Sequence, residues 1–273
     1  LEFDHGLPSI SFSTNTSKDL ITLISPLIKS RKLIEITKDT LLINELSEIS
    51  HISNNEKIYR GFPFMINFCE EIINQSINPK KIHFLFQTFI KSILRRNSLW
   101  ELKINDQIFV RSKNLVLSSS LIAHPRCFES LNINSLPLRD SFKEVNDEIV
   151  NNLLLKISKQ EYIKRRNYIL HVSNIAIVKN FNHQYLQIRF SKNIQENLNF
   201  ERIIFQMQLD GSLVMVLHIS YIKNLAHLNI EKIIQLLKII FLKHQKFLNL
   251  FLHAKLLDTM DWRASQPINN LAP

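Results

Sequence analysis

His124 and Cys127 stand three residues apart, a spacing that would let an imidazole draw the proton from a thiol or let both side chains hold one metal ion. An incidental pair on one loop is the simpler reading, and it is preferred. His218 lies inside the apolar run LVMVLHISY, where an imidazole could carry protons or bind a ligand. A core or edge histidine with its hydrogen bonds satisfied explains it more simply. Asp258 and Asp261 could divide acid and base roles if their surroundings differed. Placed just beyond the last expected helix, they read more plainly as solvated carboxylates.

Other chemistries are excluded by what the chain lacks. Its 3 glycines, Gly6, Gly61 and Gly211, are widely separated. A GxxxxGK phosphate loop, a GxGxxG dinucleotide turn and a GxSxG nucleophile elbow all need glycines in close succession. None of these motifs is present, and no cofactor is expected. The 10 histidines are scattered without HExxH, and no DxDxDG loop occurs, so no metal site is expected. Two cysteines without CxxC spacing imply neither a disulfide framework nor a cysteine zinc site.

Positive charge is the remaining chemical signal. The chain has 34 basic and 24 acidic residues, a net charge of +10. Such a surface favours polyanions or acidic proteins. Lysine, asparagine and isoleucine are all abundant, however, as codon usage in an AT-rich genome would also produce. Basic residues cluster at Lys29-Arg31-Lys32, Lys80-Lys81, Arg95-Arg96 and Lys164-Arg165-Arg166, the last with Tyr162 and Tyr168 beside it. Cations beside aromatics suit phosphate contact and base stacking, which makes Lys164, Arg165, Arg166, Tyr168, Arg95 and Arg96 the candidate binding residues. Cations that close a helix are also expected from its dipole alone, and both arginine pairs fall at expected helix ends.

The elements that would position these residues follow from periodicity. Ser17 caps a helix with Leu20, Ile24, Leu27 and Ile28 on one side. Further helices are expected over 38–49, Phe64–Ile73 and Pro79–Arg95, so the first hundred residues read as mainly helical. Two or three short strands follow in LWELKI, QIFVRS and LVLSSSLIA. A capping box at Ser141–Glu144 opens a helix running to about Lys164. Strands are expected at Tyr168–Val178 and Gln184–Phe190, then at the two arms of a hairpin turning on Asp210-Gly211 as a two-residue type I′ turn. That turn sets Ile203 opposite His218 and Met207 opposite Val214. Together the four strands form an antiparallel meander over 168–222. A helix capped by Asn229 covers it from Ile230 to about Leu257, and residues 261–273 look like a loose tail.

The fold class expected is therefore α+β, a helical N-terminal region plus a mostly antiparallel sheet flanked by long amphipathic helices. Residues 1–98 would form the helical region and 99–273 the α+β region, within two domains or one continuous domain. No stretch approaches the length of a membrane-spanning helix. Leu1 leaves open an upstream segment, and a reducing, cytoplasmic setting is the default. Missing catalytic motifs, a basic surface and amphipathic helices point to a non-enzymatic binding or assembly protein with a protein partner or a homo-oligomer. Nucleic-acid binding through the Lys164–Arg166 cluster is one alternative, and a small-molecule enzyme with a pocket near His218 or His124 is the other.

Overall fold

Alternation of apolar and polar residues, more than helical spacing, decides the architecture. The structure is a computed structural model; it describes residues 3–267 apart from 5, 7, 14, 53–54, 76–80, 89, 91, 105–106, 117–123, 125–147 and 222–228. In chain order the elements are β1 (Ile10–Ser13), α1 (Lys18–Lys29), β2 (Leu33–Glu35), β3 (Thr40–Ile43), β4 (Ile49–His51), β5 (Glu56–Gly61) and α2 (Met65–Asn74). Next come β6 (Ser92–Arg96), β7 (Leu99–Ile104), β8 (Gln107–Ser112) and α3 (Glu148–Ser158). The chain continues with β9 (Tyr162–Val172), α4 (Ile175–Val178), β10 (Tyr185–Phe190), α5 (Lys192–Leu198), β11 (Phe200–Met207) and β12 (Leu213–Tyr221). It closes with α6 (Ile230–Ile240), α7 (Gln245–His253) and β13 (Lys255–Pro267).

Residues 1–81 and 163–265 make one compact unit, and 82–162 with 266–273 make another. The first unit is built on a seven-stranded mixed sheet in the order β13-β9-β12-β11-β10-β3-β4, in which β10 and β3 run parallel. One face of this sheet carries the main core, where Leu186, Ile203, Phe205, Met215 and Leu217 pack under Ile233, Leu237, Phe241, Phe247 and Phe251 of α6 and α7. The other face meets a three-stranded antiparallel sheet, β1-β5-β2, through Ile36 and Ile58 against Ile169, Ile204, Val214 and Val216. The far side of that small sheet is covered by Ile24 and Leu27 of α1, packed with Leu33 and Tyr59.

The expected α+β meander with long helices is corrected by this arrangement, which among the described residues is mostly sheet, with thirteen strands and seven short helices. Strand β9 pairs with β12 rather than with β10, so the four central strands follow a Greek-key order, not a meander. Two expected helices of the N-terminal region give way to strand and turn among the described residues. Residues 38–49 supply β3 and reach the first residue of β4, and the expected helix over 79–95 ends in β6, whose Ile93 pairs with Leu102. Strands β6 and β7 meet through Asn97 and Ser98, both at positive φ (49° and 65°). This is the conformation of a type I′ turn, adopted without the glycine that would have marked it.

The hairpin of β11 and β12 forms where expected, with a different turn. The Gly211 N–H donates to the Gln208 carbonyl (3.0 Å), and the Gln208 N–H donates to that of Ser212 (2.9 Å), enclosing three residues with Gly211 at φ +80°. Met207 therefore faces Leu213, and Ile203 faces Leu217. The one-residue shift moves His218 from opposite Ile203 to opposite Arg202 and reassigns every face of β12 relative to β11.

The expected helix from Ile230 to Leu257 is divided. It starts as expected, with Asn229 accepting from the Lys232 N–H at 2.9 Å. It stops at Phe241, and a second helix begins after His244, whose Nε2 lies 2.9 Å from the Ser47 carbonyl oxygen. A continuous helix would set Phe241 and Phe247 about 120° apart. The break instead brings their rings to 5.0 Å, with Phe251 at 5.2 Å from Phe241, all under the sheet. Residues 255–267, where the helix is expected to end near Leu257 and a loose tail to start at 261, form the edge strand β13. The expected capping box at Ser141–Glu144 lies outside the described residues. Helix α1, capped by Ser17, and helix α2 form as the spacing predicts. No described helix is long and apolar enough to cross a membrane.

Candidate functional site

Strand β10 reads YLQIRF, and its alternation turns Leu186, Ile188 and Phe190 into the main core and Tyr185, Gln187 and Arg189 toward the three-stranded sheet. From that sheet β5 sends Arg60 onto the same layer, with its guanidinium carbon 4.4 Å from the centre of the Tyr185 ring. Burial is nearly complete: Arg60 is 7% exposed, Tyr185 5% and Gln187 0%. Burial lowers the pKa of Arg60, opposed by Tyr185, Asp4 and Asp39. Burial pushes the Tyr185 phenol above its ordinary range, so it stays protonated and able to donate.

Part of this polar layer is internally satisfied. The Ser9 hydroxyl donates to Gln187 Oε1 at 3.2 Å, the Asp4 N–H donates to Gln206 Oε1 at 3.4 Å, and Asp4 Oδ1 accepts from the Met65 N–H at 3.0 Å. Arg189 makes a two-pronged pair with Glu56, at 2.9 and 3.3 Å, and donates to the Ser11 hydroxyl at 3.1 Å. Among the described residues, Arg60 Nε and Nη1, the Tyr185 hydroxyl and Gln187 Nε2 find no hydrogen-bond partner.

A second feature lies on the opposite side of β5. A pocket of about 300 Å³ opens between α1 and the strands β1 and β5. Phe12, Ile21, Ile24, Ile28 and Tyr59 give it apolar walls, and Ser13, Thr16, Asn55 and Lys57 bring polar groups to it. Phe12 and Tyr59 meet edge to face, with centroids 5.6 Å apart. Burial, then Glu35, raises the Tyr59 pKa against the pull of Lys57, which keeps the phenol neutral. A shallower groove of about 450 Å³ runs between α6, α7 and β13.

The residues singled out from sequence are not gathered at either place. Lys164, Arg165, Arg166 and Tyr168 lie along β9, within a strand and not at a helix end, so successive side chains point to opposite faces. Arg165 donates to Glu201 at 2.7 Å, and Arg166 to both carboxylate oxygens of Asp261 at 2.5 and 2.6 Å. Tyr168 is buried in the main core. Arg95 and Arg96 are exposed on β6 in the other unit, with Arg95 5.5 Å from the Trp100 ring centre. His124, also in that unit, is buried, with Nε2 2.9 Å from the Gln160 carbonyl oxygen and its ring against Tyr162. His218 is buried in the first unit, between Arg202 and Asn167 in register. Asp258 and Asp261 sit on β13, three residues apart and hence on opposite faces. Cys69 is a free, exposed cysteine, and Cys127 lies outside the described residues.

Arg60 and Tyr185 escaped the sequence because they are far apart in the chain. The alternation of β10 was visible, and its polar residues could have flagged a buried polar face.

No family model matches the chain, and no curated protein matches it. Solved structures do. An oxidoreductase from Methanosarcina mazei matches at a TM-score of 0.41 and 13% identity, over 79% of this chain and 45% of that one. CtdE in complex with FAD and a substrate matches at 0.47 and 6%, over 96% and 60%. The tetracycline destructase Tet(51) matches at 0.40 and 11%, over 95% and 59%. The chain thus spans about half the length of these structures, and such values assign it to no family. These neighbours are named as an oxidoreductase, an FAD and substrate complex and a destructase, and the expectation of a non-enzymatic protein-binding or nucleic-acid-binding role is withdrawn. The geometry agrees for nucleic acid, since Arg165 and Arg166 are both held by carboxylates.

Proposed function

We propose that this chain is part of an enzyme that takes a small, largely apolar organic substrate into the pocket between α1 and the three-stranded sheet. The pocket itself carries the proposal: its volume of about 300 Å³, its apolar walls and its few polar groups match what a small-molecule site requires. The neutral Tyr59 phenol and the Lys57 ammonium would orient a polar group on the substrate, and the rings of Phe12 and Tyr59 would hold its apolar body. Oxidation or reduction is the reaction class to test first, that being the class named for the Methanosarcina mazei protein.

The residues present do not fit a flavin dinucleotide held in the usual way. Gly211 occupies a hairpin turn, and Gly61 is needed because a Cβ there would lie 2.5 Å from the Phe64 carbonyl oxygen, so neither serves a phosphate loop. No step is therefore derived through such a group. A cytoplasmic setting belongs to the same proposal, supported by the exposed free thiol of Cys69.

Binding tests the pocket directly. Flat apolar compounds carrying one polar group should bind saturably in a thermal-shift or calorimetric titration. Ile21→Trp, placed on the exposed rim of α1, should weaken them at least tenfold without lowering the Tm. Equal binding by Ile21→Trp, or no binding by any compound, would remove the proposal.

A further inference from the structure

Four buried nitrogen and oxygen atoms in the layer between the two sheets of the first unit share one property: each can donate a hydrogen bond, and none has an acceptor among the described residues. They are Arg60 Nε and Nη1, the Tyr185 hydroxyl and Gln187 Nε2. Tyr185 and Gln187 share one face of β10, and Arg60 comes onto that face from β5 to lie over the Tyr185 ring. Buried donors are almost always paired, and a buried cation without a partner is costly, so a cluster of orphaned donors around a guanidinium calls for an acceptor. The carboxylates of Asp4 and Asp39 attract Arg60; Asp4 Oδ1 is engaged by the Met65 N–H, and Asp4 Oδ2 is buried without hydrogen bonding to Arg60, Tyr185 or Gln187. Arg189, two residues along the same face, already has its carboxylate in Glu56. Arg60 has none.

We propose that this layer holds a small oxyanion, either free phosphate or the carboxylate of an organic ligand, bound by the guanidinium of Arg60, the phenol O–H of Tyr185 and the amide N–H of Gln187. The planar guanidinium offers the geometry that carboxylate and phosphate oxygens match. Burial keeps the Tyr185 phenol protonated, as a donor to an anion must be. This site lies on the opposite side of β5 from the pocket beside α1 and is independent of it.

The test is thermal unfolding of the full chain in phosphate, sulfate, acetate and benzoate, each against chloride at matched ionic strength. A saturable rise in Tm with an oxyanion is expected. A rise with phosphate and sulfate identifies free inorganic anion as the ligand, and a rise confined to the carboxylates identifies an organic one. Arg60→Met should abolish the rise, with its own Tm in chloride as the reference. Tyr185→Phe should keep the fold and weaken binding severalfold, which retains a test if Arg60→Met does not fold. Ile21→Trp should leave the rise unchanged, separating this site from the apolar pocket. No rise beyond the chloride control, or an unchanged rise in Arg60→Met or Tyr185→Phe, would overturn the proposal.

Discussion

Arg189 and Arg202 stand directly opposite each other on β10 and β11, two like charges in register on one face of the seven-stranded sheet. Such pairs are unfavourable unless an anion intervenes. Glu56 reaches Arg189 from β5, so a carboxylate of the three-stranded sheet neutralises one member of the pair and ties the two sheets together.

Acid should loosen that tie. The pKa of Glu56 lies below the ordinary glutamate value; burial, the largest single influence, raises it, and the combined effect of the Ser11 hydroxyl, Arg189 and Arg202 outweighs burial. A carboxylate with a depressed folded pKa contributes stability that is present above the unfolded value and lost as pH falls through the folded one. Urea unfolding from pH 6 downward should show stability falling below about pH 4.5. In Arg189→Gln that fall should be shallower.

The two arginines of β9 should differ in what their partners contribute. Both members of Arg165–Glu201 are largely buried, whereas Asp261 opposite Arg166 is half-exposed. Removing one partner of a buried pair costs about 3–5 kcal/mol, and an exposed pair contributes about 0–1 kcal/mol. Glu201→Ala should therefore lower the unfolding free energy well beyond Asp261→Ala, and added salt should reduce only the smaller effect. Equal losses would contradict the geometry.

Glycine substitutions should rank by space as well as by φ. Gly211→Ala places a side chain at φ +80° with open room beside Ile175, at a cost of about 1 kcal/mol. Gly61→Ala drives a Cβ against the backbone of Phe64 and Met65, at 2.5 and 2.7 Å. It should cost clearly more in denaturant unfolding.

Dividing the C-terminal helix places Phe247 in the aromatic cluster with Phe205 and Phe241. Phe247→Ala should cost about 3–5 kcal/mol, as large-to-small changes in a packed core do. Phe247→Leu should recover much of that loss.

What sequence made legible was local. The Ser17 cap, the strands LWELKI, QIFVRS and YLQIRF and the Asp210-Gly211 hairpin all carry their signals within a few residues. Three features were hidden because their causes lie elsewhere. Asn97 and Ser98 turn a hairpin without glycine, β3 is a strand because β10 pairs with it in parallel, and the helix after Asn229 breaks so that three phenylalanines can reach one sheet. The polar layer is the extreme case, since Arg60 meets Tyr185 only after two sheets have stacked.

Turnover is the most direct measurement of the central claim. A compound shown to bind beside α1 should be incubated with the protein and a small soluble electron donor or acceptor, and its conversion followed by mass spectrometry. Redox conversion that requires the protein and falls at least tenfold in Ile21→Trp is the expected result. A compound that binds in the pocket and is recovered unchanged with every donor and acceptor would contradict the proposal that oxidation or reduction takes place beside α1.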